Sequence, residues 1–560
     1  MTPAPVAEVR ALITAPLTSP ELLALGEPTH GEPAFPQLRN ALLQALVEDG
    51  FRSVAIESDR VAALDVDDYI RGGEGTLDAV VAAGFSHGLG QLDANRDLVA
   101  WLREHNAGRP PGDRVAFHGF DAPLEMTTAP SPGRYLRHLH DYLTAHLGPD
   151  GLRHGRTDLG ALLGDDGRWS DTAALMDATK SVGGGAAAVT LRVVADDLVT
   201  TLYAEAPRLV EASSPRAWHR AEVHGSTALG LLRYHAVAAD PIAPQERTSR
   251  LLGIRDALMA RNLLDLRAAE RHRGPTLVFA HNRHLQRHPS TWHLAGMDLT
   301  WSSAGAVAAT LLGGRYVYIA GSLGSSAALG LAAPDAGTFE HALGPGLVDA
   351  VPAAGHALGP RLVDAAALAA VADGLRERTD VTAEQGYFPL DAATLAGCDA
   401  VLHVPAAAPQ GPDPAALAER ILALPGTELL LATEESGAPE TSWGDRFFYV
   451  GPDRRMPFAT IVGRDTPGWD EASRLDRPGV FRVNVHAGRE EFQRLLGYPP
   501  AALEERRAGV DFARLDAILP HPSYGRQGWV CVLNPGPRTA AELDALIVAA
   551  HHRAALRRSG

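Results

Sequence analysis

The stretch LALGEPTHGEPAFPQLR, Leu23 to Arg39, decides how the chain folds and where its chemistry sits. It opens as a short apolar strand that stops at Gly26-Glu27, passes through a Pro-Thr-His-Gly turn, and enters a helix near Pro33. Glu27 and His30 therefore fall where a buried strand gives way to a loop. Arg39 lies about two turns along the next helix, which can point it back at the same spot. A carboxylate, an imidazole and a guanidinium gathered at one strand end suit acid/base chemistry. The plainer alternative has Glu27 capping a turn and Arg39 on the surface, and a lone GExxH is too short to decide between them.

Working outward, further strands have the same form. FRSVAIES (51–58) reads as a buried strand ending at Glu57, and DRVAFHGFDAP (113–123) as another with Asp121 just past its end. GPTLVFAHNRH (274–284) ends at His281, with His284 three residues on. RYVYIAGS (315–322) and CDAVLHVP (398–405) complete the set. Between them lie helical patterns at 34–48, 65–70 and 91–105. A long, mainly helical region follows from Pro132 to Arg273, interrupted at Gly183-Gly184-Gly185 and at Asp240 to Pro244. In IRDALMARNLLDL (254–266), Arg255, Met259 and Asn262 share one helix face. Short apolar strands separated by helices predict an α/β fold with a largely parallel sheet and a long helical insert over its edge. Glu27, His30, Glu57, Asp121, His281 and His284 then converge at the C-terminal strand edge, where open α/β sheets bind ligands.

Beyond this domain, assigned to 1–405, the run VPAAAPQGPDP reads as a linker at 406–414. Residues 415–560, with strands TELLLAT, RFFYVG, FATIVG, FRVNVHA and GWVCVLN between helices, predict a smaller α+β domain. The near-repeat HALGPGLVDA (341–350) and HALGPRLVDA (356–365) is too short for a solenoid and reads as a duplication in a surface segment. The chain has 560 residues, 46% hydrophobic and 21% charged, which describes a folded multi-domain protein. A net charge of −16 argues against nucleic acid or an anionic membrane as partner. With Cys398 and Cys531 as the only cysteines, a disulfide framework and a cysteine-based zinc site are excluded. No apolar run suits a membrane span, and the N-terminus lacks the features of a secretory signal, so a cytoplasmic location is expected.

Seven ordered segments together resemble the erythromycin esterase family: GEPTHG (26–31) with Arg39, GFRSVAIES (50–58), YIRGGEG (69–75), WLREHN (101–106), HGFDAP (118–123), RDALMARN (255–262) and AHNRH (280–284). The resemblance covers the N-terminal ~405 residues, and its strength lies in the order and spacing rather than in any one motif. It implies a hydrolase that opens a macrolide lactone or related ester, as in antibiotic resistance, with His30 as general base. It also assigns catalytic positions to Glu27, Arg39, Glu57, His281 and His284, and makes Asp121, Asn282 and Arg255 candidates for binding substrate. Ala34 departs from the pattern, since the family usually carries a glutamate four residues after the motif histidine. The C-terminal ~150 residues, through MPFATIVG (456–463), SRLDRPGVFRVNV (473–485) and LPHPSYGRQGWVCVLNP (519–535), resemble a small uncharacterised domain found mainly in actinobacteria, and no activity comes with it. A structural role is expected there for His521, Tyr524, Trp529, Arg477, Arg482 and Asn484.

The expected chemistry is ester hydrolysis without metal or other cofactor, on a small-molecule ester or macrolide. His30 takes a proton from water, Glu27 or Glu57 fixes its tautomer, and Arg39, His281 or His284 steadies the oxyanion. No GxSxG elbow is present to supply a serine nucleophile. Two alternatives stay open. Glu27, His30, His281 and His284 can instead be ligands of a metal-dependent hydrolase, or the domain can be a non-catalytic small-molecule binding or biosynthetic accessory protein. Nothing in the residues fixes the oligomeric state.

Overall fold

A computed structural model describes residues 4–14, 20–125, 127–326, 328–344, 360–365, 374–407, 414–454, 456–476, 480–536 and 538–559. Two compact units are present: Met1–Leu323 with Asp335–Thr379 and Gly386–Pro405, and Ala406–Gly560 with Gly324–Pro334 and Asp380–Gln385. The fold is mixed α/β with a largely parallel sheet and many helices, then a smaller antiparallel-sheet domain.

In the first unit the strands are β1 (Leu22–Glu27), β2 (Ser53–Asp59), β3 (Ala116–Asp121), β4 (Thr276–His281), β5 (Ser290–Leu294), β6 (Met297–Trp301), β7 (Tyr316–Ser326), β8 (Arg361–Asp364) and β9 (Ala400–Ala407). The main sheet runs β3-β2-β4-β1-β7-β9-β8. The β3–β2, β2–β4, β4–β1 and β1–β7 pairs are all parallel. β1, β2 and β4 are buried at every position, because helices cover both faces of a parallel sheet; this is why they read as continuous apolar runs. Met259, Leu263 and Leu266 of the Pro244–Glu270 helix pack with Leu22, Ala24 and Val278 in one core. The helical insert has a core of its own, in which Leu136 and Leu139 meet Leu191, Leu198, Leu231 and Leu232.

Three features depart from expectation. TWHLAGMDLTW, in which apolar and polar residues alternate on either side of Ala295-Gly296, forms the antiparallel β5–β6 hairpin, which the strand assignment above omits. The second copy of the decapeptide is not merely surface: its residues Arg361–Asp364 form β8, which pairs antiparallel with β9 at the sheet edge. Residues 345–359, which hold most of the rest of the duplication, lie outside the described residues. The Pro-rich run enters the sheet as far as Ala407, and 408–413 lie outside the described residues.

The second unit is a six-stranded antiparallel sheet, β10 (Thr427–Leu431), β11 (Arg446–Val450), β12 (Ala459–Val462), β13 (Arg482–His486), β14 (Ile518–Pro520) and β15 (Trp529–Leu533), ordered β10-β11-β12-β13-β15-β14. The short strand β14 was not expected from its sequence. Phe448, Phe458, Val483, Val485, Val530 and Val532 form a core with the Pro414–Leu422 and Ala540–Ser559 helices. On β13, Arg482 and Asn484 are buried and satisfied: Arg482 bonds Asp470, Ser473 and Asn484, and Asn484 donates to Thr460. His521 Nδ1 accepts from the Ser523 and Tyr524 amides at 3.1 Å each. Arg477 lies outside the described residues. Among the described residues, no helix is long and apolar enough to cross a membrane.

Candidate active site

Because β3, β2, β4 and β1 are parallel neighbours, their C-terminal ends lie along one edge and bring Asp121, Glu57, His281 and Glu27 together. Glu27 is in register with His281. A register shift in β2 between Ile56 and Asp59 interrupts its pairing with β3 around Glu57; such bulges re-aim side chains beside functional sites. The edge is pinned by Asn282. Its Nδ2 donates to the Gly321 carbonyl at 2.8 Å, and its Oδ1 accepts from the Gly321 amide at 3.0 Å. To reach β7 this side chain passes over Gly26, where a Cβ would meet Asn282 Oδ1 at 2.1 Å. The Asn282 amide is thus engaged with backbone.

Glu27, Glu57 and Asp121 are buried at 2%, 2% and 0% exposure, whereas His30 keeps 39% of its side chain exposed. His30 Nδ1 lies 2.8 Å from Glu27 Oε1, and its Nε2 lies 3.7 Å from Glu57 Oε1. Burial alone would lower the imidazole pKa, but the Glu57 and Glu27 carboxylates outweigh it and raise the pKa above its ordinary value. Burial raises the Glu27 carboxyl, with the His30 hydrogen bond pulling the other way. Glu57 is the hub. Its Oε2 accepts the His281 amide at 2.8 Å, while its Oε1 faces Arg255 Nη2 at 3.2 Å and His284 Nε2 at 3.3 Å. Burial would raise its pKa, but His284, His30 and Arg255 hold it well below the usual carboxylate range.

The pKa values of His284 and His281 are pushed in opposite directions. His284 Nδ1 lies 3.0 Å from both oxygens of the fully buried Asp256, which also accepts from Trp301 Nε1 and the Ala304 amide. Burial opposes the imidazolium, yet Asp256 and Glu57 raise its pKa to about 10. His281 Nε2 donates to the Pro28 carbonyl at 3.2 Å and Nδ1 accepts the Arg283 amide at 3.1 Å. Burial and the neighbouring His30 keep its pKa well below the ordinary value, so this ring is neutral. Neither ring has a nitrogen left over for an oxyanion. Arg39 also turns inward. It is fully buried, bonds Asn40 and lies 4.9 Å from the Phe279 ring centroid, and its Nη1 has no hydrogen-bond partner among the described residues. Burial lowers its pKa to about 9 and its charge acts on Glu27 from behind the strand edge.

The sequence reading missed His87. It adopts φ = 57°, a left-handed conformation uncommon outside glycine. Its Nδ1 lies 2.9 Å from Glu125 Oε2 and its Nε2 lies 2.9 Å from Asp121 Oδ2. Burial opposes the charged ring, but the two carboxylates raise its pKa to about 9. Arg255 grips Asp121 through Nε and Nη2, the latter at 2.5 Å. The SHG turn at 86–88 was the only local signal, and nothing in its spacing ties it to Asp121. Asp256 was also missed, because it falls within a helix pattern that gives no hint of a buried carboxylate.

Among the described residues, the donor atoms that come within 4.8 Å of one another as a candidate metal group belong to Glu57, His87 and Asp121. Arg255 Nη2 lies 3.2, 3.3 and 2.5 Å from those same residues, so a guanidinium already stands where a cation would be held. Glu27, His30, His281 and His284 do not form such a group, because the rings of His281 and His284 face backbone and Asp256.

Residues 412–559 match the family model described as a family of unknown function (DUF6194). A solved Bacillus cereus protein is 16% identical, with a TM-score of 0.53 over 72% of this chain and 94% of that one. A succinoglycan biosynthesis protein is 17% identical, with a TM-score of 0.51 over 72% of this chain and 90% of that one. A mutant of the erythromycin esterase EreC in its open conformation is 16% identical, with a TM-score of 0.48 over 71% of this chain and 94% of that one. The first two of these likenesses bear on the fold. The model described as erythromycin esterase matches residues 46–406, a span that begins after Glu27, His30 and Arg39. That span is more than half of the 560 residues, and the chain belongs to the erythromycin esterase family.

Proposed function

We propose that the protein hydrolyses a carboxylic ester, a macrolide lactone or a related one, with His30 as the general base. The observation that carries this reading is the 2.8 Å contact between His30 Nδ1 and the buried Glu27 carboxylate on a ring that remains part-exposed. A proton on Nδ1, facing the carboxylate, leaves the Nε2 lone pair for water. Water gives a proton to Nε2 as its oxygen bonds to the ester carbonyl carbon. The tetrahedral oxyanion then collapses, and the departing alkoxide takes the proton back from Nε2. Glu27 and Glu57 stabilise the imidazolium formed between these steps. For the oxyanion we favour Arg255, a permanent cation whose bonds to Asp121 and Glu57 use Nε and Nη2 and not Nη1. The family supports a hydrolase acting on a small-molecule ester.

Mass spectrometry of the protein with 14- and 16-membered macrolides and simple esters tests this. A mass gain of one water is expected, and His30→Asn is expected to lower the rate by about 10²–10⁴-fold while the protein stays folded. A folded His30→Asn protein that keeps most of its rate refutes the assignment.

A further inference from the structure

Four rings run outward from the proposed base. The His30 and His281 centroids are 5.3 Å apart, those of His281 and Phe388 4.8 Å, and those of Phe388 and Trp292 5.9 Å. They come from the GEPTHG turn, the end of β4, a segment before β9 and the β5–β6 hairpin, so only the tertiary fold aligns them. His281 has both nitrogens bonded to backbone and presents only its ring to a ligand.

Phe388 is held through its backbone and its neighbours, and its own ring is only half-buried. Its amide donates to the Pro28 carbonyl at 3.0 Å, the same oxygen that accepts from His281 Nε2. On either side, the Tyr387 hydroxyl and the Leu390 amide each bond Glu340 Oε1 at 2.9 Å, and Tyr387 and Leu390 are buried. Phe388 and Trp292 themselves are half-buried. The Arg283 guanidinium lies 5.3 Å from the Phe388 centroid and steadies the ring by a cation–π contact. The segment is thus anchored through residues 387 and 390 and leaves the aromatic side chain of residue 388 toward the site.

We propose that Phe388 and Trp292 form an aromatic wall that continues the His30–His281 pair and selects esters bearing a large apolar ring on the side facing the β5–β6 hairpin. The proposal rests on the hydrolase reading above. Stacking and edge-to-face contacts along the wall discriminate by ring size and apolarity, not by hydrogen bonding.

The test uses the full chain in a pH-stat with ethyl acetate, ethyl 2-naphthylacetate and 2-naphthyl acetate, which place the ring on neither side, the acyl side or the alcohol side. The wild type is expected to favour at least one naphthyl ester in kcat/KM. Phe388→Ala and Trp292→Ala are each expected to lower the naphthyl-to-ethyl ratio about tenfold, chiefly through KM. Phe388→Leu, which keeps apolar volume and the backbone anchors, is expected to fall between. Folded variants, checked by circular dichroism, whose ratio is unchanged overturn the wall; should Phe388→Ala fail to fold, Trp292→Ala and Phe388→Leu decide. If the wild type turns over none of these esters, the macrolide assay above decides the hydrolase reading separately, and calorimetry with 2-naphthylacetamide decides the wall. Binding that Trp292→Ala weakens about tenfold supports it, and no binding by the wild type overturns it.

Discussion

Gly26→Ala isolates the packing that holds the strand edge together. A Cβ at this position would lie 2.1 Å from Asn282 Oδ1 and 3.3 Å from the Tyr318 ring, with the carboxamide carbon at 3.2 Å. The Asn282 side chain is 5% exposed and carries hydrogen bonds to both the amide and the carbonyl of Gly321. Displacing it adds about 1–3 kcal/mol of overpacking. It also strands a buried donor and a buried acceptor, each at about 1–3 kcal/mol. A total of about 3–9 kcal/mol is a large share of the ~5–15 kcal/mol stability of a folded domain. Urea unfolding of the full chain, with the transition of each unit fitted separately because two units need not unfold together, measures the loss. A double-mutant cycle with Asn282→Ala tests the cause. On that background the clash is gone, and Gly26→Ala should cost less than about 1 kcal/mol. An equal cost in both backgrounds, or a small cost in the wild type, refutes the argument.

If His30 is the base, kcat/KM should fall on the acid side with a midpoint above the ordinary imidazole value of about 6.5, because Glu57 and Glu27 raise its pKa. Glu27→Gln should move that limb to lower pH as well as reduce the plateau, and a limb that stays in place counts against the pairing. His284, raised to about 10, stabilises the fold fully below its unfolded value of about 6.5, and that contribution is lost as pH rises through about 10. His284→Gln should therefore be less stable at pH 6 and should flatten the decline in urea midpoint between pH 6 and 10; an unchanged decline would place the linkage elsewhere, with His87 the next group to replace. Dialysis against EDTA should leave ester hydrolysis unchanged, since Arg255 Nη2 occupies the space between Glu57, His87 and Asp121. Arg255→Ala should lose activity and gain a Zn²⁺-dependent rise in Tm, and an EDTA-sensitive wild type would contradict the arginine's role.

The strand ends were legible because burial and chain direction leave a mark in the local sequence. β1, β2 and β4 are covered on both faces, so they are apolar throughout, and the first polar residues after each run mark the sheet edge. That logic places Glu27, Glu57, Asp121 and His281 at neighbouring strand ends from the chain alone. It does not extend to strands that are not covered on both faces. The β5–β6 hairpin is short and half-buried, so its signal is an alternation, W-H-L and M-D-L-T-W, and not an apolar run, while β8 is four residues long and pairs with the distant β9. Asp256 looks like any helix residue until Trp301 and His284 are brought onto it.

The sequence by itself determined the buried parallel strands and the helices between them, the acidic and imidazole groups at the sheet's C-terminal edge, and the likeness to a hydrolase family. Only the tertiary structure decided what those groups do to one another. It made His284 a cation between two carboxylates and left His281 neutral against backbone. It turned Asn282 and Arg39 inward, and delivered His87 from a loop that carries no motif. The reason is physical: a side chain's charge and availability depend on desolvation and on partners far away in the chain, and local sequence encodes neither.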